Sequence, residues 1–336
     1  MRIHSTLLAA GLAFGALSVP AFAQESVEAA QADTVTFELH LKKGDRFAFV
    51  QSMDMTQDID MQGMQMSTTM KMSSAYSYDV LDVREDGASV VRTKFGRVYG
   101  SMDNPMMGTI EFDSDKAADE SDNPMAAMVA GALTAMAGHQ VEMTIAKNGD
   151  ISELRGIDEL VAAIMEANPM AAGMGMDTAG VEKQIRQNME SMLGAFPHEP
   201  VAVGASWEKE SAMNAMGGMD MSMKVKSVLK RADASHIVVE SELTGSMGGD
   251  GQLAQMFDVE EFKGTGTSTY DRADGLVREA TSAMTMKATI KGGEAGTGGM
   301  TMKFETKIER VAVSDGETSD APKTPEATEP APGGDK

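Results

Sequence analysis

Thioether sulfur is the chemistry this chain holds in surplus: 32 methionines in 336 residues, and no cysteine. Methionine sulfur is a soft ligand that suits Cu(I) and, by the same softness, Ag(I). It is also a flexible apolar filler, and it oxidises reversibly to a polar sulfoxide. The sulfurs recur at spacings of two and three, as Met53/Met55, Met61/Met64/Met66, Met70/Met72, Met219/Met221/Met223, Met284/Met286 and Met300/Met302. If the chemistry is metal binding, the candidate ligands are Met61, Met64 and Met66 together with Met219, Met221 and Met223, where sulfurs are densest and turns fold them together. A Cu(I) ion needs two or three thioethers at about 2.3 Å, whereas alternate residues of one strand stand about 6.6 Å apart at the backbone. The methionines are also spread along the chain instead of gathered in one box. Lining of a core or of an apolar pocket therefore competes with metal, and the residues expected to line a pocket are Met55, Met66, Met70, Tyr76, Met221 and Met286.

Other constellations are missing from the sequence. Beyond the first 23 residues the histidines are His40, His139, His198 and His236, and none has a spacing such as HExxH. There is no G-x-S-x-G elbow and no P-loop. Asp113-Ser114-Asp115 lacks the spacing of a calcium loop. Without cysteine there are no disulfides, thiolate metal sites or thiol nucleophiles. The expectation is a protein that is not an enzyme and carries no cofactor.

The elements that must position the methionines announce themselves by a period of two. From Met64 to Val80 the even positions are Met64, Met66, Thr68, Met70, Met72, Ser74, Tyr76, Tyr78 and Val80, and the odd ones are mostly polar. This predicts a long strand with one apolar and one wet face. Strand patterns also cover Thr34–Leu41 and Arg46–Met55. Val80–Val83 and Ser89–Val98 pair around Glu85-Asp86-Gly87, and His139–Ala146 pairs with Ile151–Leu154 around Asn148-Gly149. A second series follows Phe196-Pro197: Met219–Val225, Val228-Leu229 with His236–Val239, Gly264–Tyr270 with Leu276–Glu279, then Met284–Ile290 and Met300–Ile308. The order of elements and the likeness of Gly44–Phe47 to Gly204–Trp207 predict an internal duplication. Helical patterns run from Asn123-Pro124 to Gly138, over Ile157–Ala167 and over Val181–Leu193, with a Gly/Met/Ala loop at 169–180.

The ends carry their own signals. Arg2, the apolar run Leu7–Val19, Pro20 and Ala21-Phe22-Ala23 predict a signal peptide over 1–23, cleaved near Ala23-Gln24, and hence a periplasmic or extracellular protein. The expected organisation is a disordered stretch at 24–33, a first β repeat with a helical insertion at 34–155, a helical connector at 156–195, a second β repeat at 196–313 and a disordered acidic tail at 314–336. No later stretch approaches the roughly 20 apolar residues of a membrane helix. The chain has 29 Lys and Arg against 51 Asp and Glu, a net charge of −22. That balance argues against nucleic acid or an anionic membrane as partner.

Leu41-Lys42-Lys43-Gly44-Asp45-Arg46-Phe47 and Phe196-Pro197-His198-Glu199-Pro200-Val201-Ala202-Val203-Gly204-Ala205-Ser206-Trp207 resemble an uncharacterised family of exported bacterial proteins with an LKKGD-x-F opening and a central FP-x-x-P-V-x-V-G-x-x-W phrase. The resemblance covers most of residues 34–313 and brings no catalytic residues. At the level of fold it is similar to half-barrel carriers of periplasmic lipoproteins, in which a curved antiparallel sheet wraps around helices. The expectation is therefore a β-rich α+β protein: one or two curved antiparallel sheets, internally duplicated, with the helices of 123–194 packed on or between them. Three functions stay open: binding of a hydrophobic small molecule or envelope protein in a Met-lined concave face, Cu(I)/Ag(I) binding, and a structural envelope role without a small ligand.

Overall fold

The structure is a computed structural model, and it describes residues 34–61, 64–106, 108–116, 127, 130–131, 133–167, 186, 196–197, 199–215, 219–248, 257–291 and 297–313. Its strands are β1 (Thr34–Val35), β2 (Arg46–Met61), β3 (Met64–Val83), β4 (Ser89–Asn104), β5 (Gly108–Asp113), β6 (Gln140–Ile145) and β7 (Ile151–Arg155). Helix α1 (Ile157–Ala167) follows, then β8 (Val201–Ala202), β9 (Ser206–Ala215), β10 (Met219–Ala232), β11 (His236–Gly248), β12 (Phe257–Asp271), β13 (Val277–Lys291) and β14 (Thr297–Val311). The period-two pattern of β3 becomes a strand of 20 residues. The helical pattern at 157–167 becomes α1 with its predicted limits. The helices expected at 123–138 and 181–193, the loop at 169–180 and both termini lie largely or wholly outside the described residues.

Two meanders build one 12-stranded antiparallel sheet in the order β7-β6-β4-β3-β2-β14-β13-β12-β11-β10-β9, with β5 added on β4. The first meander runs outward from β2. The second runs inward from β9, and its last strand closes onto β2 from Gly298/Met61 to Val311/Ala48. The sheet is not a closed barrel: β7 and β9 are its two ends. β1 pairs with β8 in a separate two-stranded ladder.

One end of the sheet is tied together by the segment that precedes β2. The sequence pattern predicts a strand over Thr34–Leu41, but only Thr34–Val35 joins a ladder. Beyond it, Leu39 N–H donates to the Lys147 carbonyl at 2.7 Å and His40 N–H to the Asp274 carbonyl at 2.9 Å. The backbone thus meets two hairpin turns instead of a neighbouring strand. The alternation survives, because Val35, Phe37, Leu39 and Leu41 all point into the core. Two clusters lie there. Leu39, Leu41, Phe49, Tyr76, Tyr78, Val80, Val91, Val141, Met143 and Ile145 pack with Ile157, Leu160 and Val161 of α1. Val35 and Phe37 pack with Leu229, Ile237 and Val239, and the Phe37 ring touches those of Phe196, Trp207 and Tyr270 at 5.4–6.1 Å.

The same backbone device opens both meanders. Gly44 N–H donates to the Val80 carbonyl and Val80 N–H to the Asp45 carbonyl; Gly204 N–H donates to the Leu229 carbonyl and Leu229 N–H to the Ala205 carbonyl. Gly44 and Gly204 have φ of 90° and 88°, a left-handed conformation that only glycine adopts freely. The register also slips at matching places, between Val80 and Asp82 and between Leu229 and Arg231.

Candidate functional site: a methionine wall

Residues that face each other across antiparallel strands share a face, and their Cβ atoms lie about 4.5–5.5 Å apart. The register therefore turns scattered methionines into rows. One row runs Met102–Met70–Met55–Phe304–Met284–Gly264–Leu243–Val225 across eight strands. The next runs Thr68–Gln57–Met302–Met286–Phe262, and a third runs Met66–Ile59–Met300–Ala288–Val259. Ala288, Ile290 and Met300 form a buried cluster at the far end, with Ile59, Val259, Met286 and Met302 against it. Between that cluster and the closed end, Met55, Phe304, Met284, Leu243, Val225 and Phe262 are only half-buried.

Glycines make this wall flat. A Cβ on Gly245 would lie 2.0 Å from the Phe262 ring, and one on Gly264 would lie 2.7 Å from Cγ of Met284. Phe262 and Met284 thus lie across the gaps that the glycines of the neighbouring strand leave. Large side chains covering glycine on an adjacent strand are a known way to keep such strands packed.

The opposite face is polar. Its rows include Lys71–Asp54–Glu305–Ala283–Thr265–Glu242–Lys226 and Ser52–Lys307–Thr281–Thr267–Glu240–Val228. A cavity of about 680 Å3 opens there, bordered by Asp54, Glu305, Glu242 and Lys226. A second of about 460 Å3 lies toward the β2–β3 tip, beside Asp58, Glu260 and Lys287. A twisted sheet is saddle-shaped, so each face is concave along one diagonal. Sequence pattern assigns the concavity to the methionine face, whereas these two cavities are bordered mostly by residues of the polar one.

The nominated lining residues do not stay together. Met55 is half-buried between Met70 and Phe304, and Met286 half-buried between Met302 and Phe262. Met66 is half-buried opposite Ile59 and borders the smaller cavity. Met70 is 8% exposed. Tyr76 departs from the expectation: it is 4% exposed, with its ring stacked on Phe49 at 5.2 Å, so it belongs to the core under α1. Burial first, then the neighbouring Tyr78, pushes its phenol far above the ordinary range. The Met221 side chain lies outside the described residues, although its backbone faces Met213 and Met247.

Of the nominated metal ligands, Met64 is 66% exposed, against the inward position its alternation predicts. It sits beside the hairpin tip, opposite Met61, where no further strand covers it among the described residues. Met66 lies opposite Ile59, and Met223 is half-buried opposite Ser211 and Gly245. The side chains of Met61 and Met219 lie outside the described residues. Sequence reasoning missed β5 and the central members of the wall, Phe262, Leu243 and Phe304. Their signal, alternation, was visible; their grouping depends on β14 pairing with β2.

A family model described as "Family of unknown function (DUF6263)" matches residues 86–297, more than half of the chain. The chain belongs to this family. The DUF6263 match takes in the strands from β4 to β13 and leaves Leu41–Phe47 outside. No curated protein matches. Among solved structures, a lipovitellin described for its lipid–protein interactions aligns at 7% identity and a TM-score of 0.43, covering 84% of this chain and 27% of that one. The chain thus spans about a quarter of the length of that protein. An outer membrane channel from Pseudomonas putida F1 aligns at 8% identity and a TM-score of 0.23, covering 82% of this chain and 98% of that one. A putative outer membrane lipoprotein-sorting protein domain from Vibrio parahaemolyticus aligns at 8% and 0.13, covering 80% and 87%. Scores this low leave the DUF6263 fold to be described from its own strands. Among the described residues, no helix is long and apolar enough to cross a membrane, and no three His, Asp or Glu side chains gather as metal ligands.

Proposed function

We propose that this protein is a non-enzymatic binder of a hydrophobic small molecule of the acyl-chain class, working in the bacterial envelope after removal of residues 1–23. The observation that carries the reading is the half-buried stretch Met55–Phe304–Met284–Leu243–Val225 with Met302, Met286 and Phe262 beside it. A monomeric protein seldom leaves so continuous an apolar face partly open unless something binds it. Unbranched thioethers adapt to ligands of varied shape. The polar face gives the sheet its soluble side.

In this reading the two meanders are copies of one unit, residues 34–155 and 196–313, joined by a helical connector. Supporting it are the paired hydrogen bonds at Gly44/Val80 and Gly204/Leu229 and the matching register slips after Val80 and Leu229. One copy is covered by α1, and the other offers the wall.

The test is titration of the full chain with a fluorescent fatty-acid probe. The parent binds it, and Phe262→Ser/Met284→Ser/Phe304→Ser weakens binding at least tenfold while far-ultraviolet circular dichroism is retained. Equal binding by parent and variant, or none by the parent, rejects the wall as the site. Thr265→Ala/Thr281→Ala on the polar face leaves probe binding unchanged.

A further inference from the structure

The densest group of described sulfurs is not one that sequence spacing nominates. The register of β2, β3 and β4 sets Met55, Met70 and Met102 directly opposite one another in a single row, and Met53 opposite Met72 in the next. Met70 and Met102 are 8% and 9% exposed. With Ile110 of β5 they form a cluster of their own, and Met53, Met55, Ala130 and Leu133 pack against it. The side chains that make up this cluster are apolar apart from their thioether sulfurs, whereas hard cations such as Ca2+ or Mg2+ take oxygen ligands. It offers neutral thioethers at cross-strand spacing.

We propose that Met55, Met70 and Met102 form a binding site for a soft monovalent cation, Cu(I), with Met53 as a fourth thioether. Three sulfurs arranged around an ion at about 2.3 Å stand about 4 Å from one another. The three Cβ atoms of a cross-strand row already lie about 5 Å apart at each step. Three side-chain torsions per methionine close the remaining distance without moving the backbone. Thioether softness selects Cu(I) over Zn2+ and Cu2+. A neutral ligand set also leaves only a single positive charge to bury, which costs less than two. Cross-strand placement resolves the geometric objection raised by spacing along one strand, because ligands come from three strands. The inference does not depend on the hydrophobic-ligand reading, since most of the wall that binds the probe lies on other strands.

The experiment is anaerobic Cu(I) titration of the full chain against a chromogenic chelator, with copper-edge X-ray absorption on the loaded protein. The expected result is one tightly bound equivalent, three or four sulfurs at about 2.3 Å and no nitrogen or oxygen shell. Met55→Leu/Met70→Leu/Met102→Leu conserves volume and apolarity and lowers affinity at least 100-fold. Met64→Leu/Met66→Leu/Met223→Leu leaves it unchanged. Failure of the parent to compete with the chelator, a nitrogen or oxygen shell, or parental affinity in the first variant overturns the proposal. If the first variant does not fold, Met102→Leu decides: one sulfur fewer and a loss of tenfold or more supports the site, and an unchanged spectrum rejects it. A parent that binds the fatty-acid probe but no copper loses this site and keeps the wall.

Discussion

Phe49, Tyr76, Tyr78 and Val91 in the first meander and Leu243, Gly264, Met284 and Phe304 in the second occupy the same face of one continuous sheet. The first set is 0–5% exposed, whereas the large residues of the second are half-buried. Strand pattern is not the difference, since both alternate cleanly. Among the described residues, the difference is what lies on top. In the first meander α1 presses Leu160 and Val161, 0% and 2% exposed, onto Val141, Met143 and Ile145. In the second, glycine and serine (Gly264, Gly266, Ser241, Ser282) alternate with flexible or aromatic side chains that lie along the sheet. Alternation decides which face is apolar; the covering element decides whether that face is core or surface.

The most direct way to break this comparison is to truncate one residue on each side. Leu160→Ala opens a cavity in a fully buried site and costs about 3–5 kcal/mol. Met284→Ala, where the side chain is partly open to water, costs about 1 kcal/mol. Urea unfolding of both variants measures the two losses. Equal losses would mean that the wall is as well sealed as the core under α1.

A second test concerns what fastens β14 to the closed end. Arg310 Nη1 and Nη2 donate to Asp274 at 2.8 and 2.9 Å, and Nη1 also reaches Asp271 at 3.0 Å. Its guanidinium lies 5.2 Å from the Phe47 ring centroid. The three side chains are only 15–17% exposed. Arg310→Met leaves two carboxylates without their shared partner and costs about 2–4 kcal/mol. Lys224→Met, which breaks an exposed pair with Glu208, shifts the urea midpoint far less, because exposed pairs contribute little.

Much of this fold is legible in the sequence and part of it is not, for one physical reason. Periodicity and turn chemistry are local, so the long strand 64–83, the Asn148-Gly149 and Asp274-Gly275 turns and α1 follow from neighbouring residues. Pairing of β14 with β2 joins residues as far apart as Gly298 and Met61 or Val311 and Ala48 and leaves no local mark. The wall built on Phe304 is invisible without it, whereas the methionine row Met55–Met70–Met102 needs the register of β2, β3 and β4. Met64 shows the converse error: alternation places it inside, yet at the hairpin tip it is 66% exposed. β5 was missed because its six residues carry too few alternations to stand out.

The two hairpin turns that meet the segment before β2 allow a finer comparison. Gly149 and Gly275 both take positive φ, 88° and 78°. A Cβ on Gly275 would lie 2.1 Å from the Glu38 carbonyl oxygen, a backbone atom that cannot yield, whereas one on Gly149 meets only the Phe196 ring at 3.3 Å. Gly149→Ala therefore costs about 1 kcal/mol, the ordinary penalty of a left-handed alanine. Gly275→Ala costs roughly 2–3 kcal/mol and loosens the contact at His40. Amide hydrogen exchange at His40 should quicken in the second variant and not in the first.

The smallest effect distinguishes the halves by pH. Asp113 in the first half accepts from Arg97 Nη2 at 2.6 Å and Nε at 2.9 Å, and these bonds hold its carboxyl down at about 2 against an ordinary 3.8. Glu261 in the second is held at about 2, from 4.5, by Lys263 and then Lys287. For a carboxyl depressed by folding, the stabilisation is complete above the unfolded value and is lost as pH falls through the folded one. Both contributions should therefore fade between about pH 4 and pH 2. Asp113 is 9% exposed and Arg97 26%, so its contribution is roughly 1–2 kcal/mol and resists screening. Glu261 is 30% exposed and its partners Lys263 and Lys287 are 63% and 52% exposed, so salt weakens its attraction to the two lysines. Acid titration of unfolding in 1 M salt should leave the Asp113→Asn variant visibly flatter than the parent, while Glu261→Gln becomes indistinguishable from it. Equal salt sensitivity of the two variants would mean that the Arg97–Asp113 pair is as exposed as the lysine pairs on the polar face.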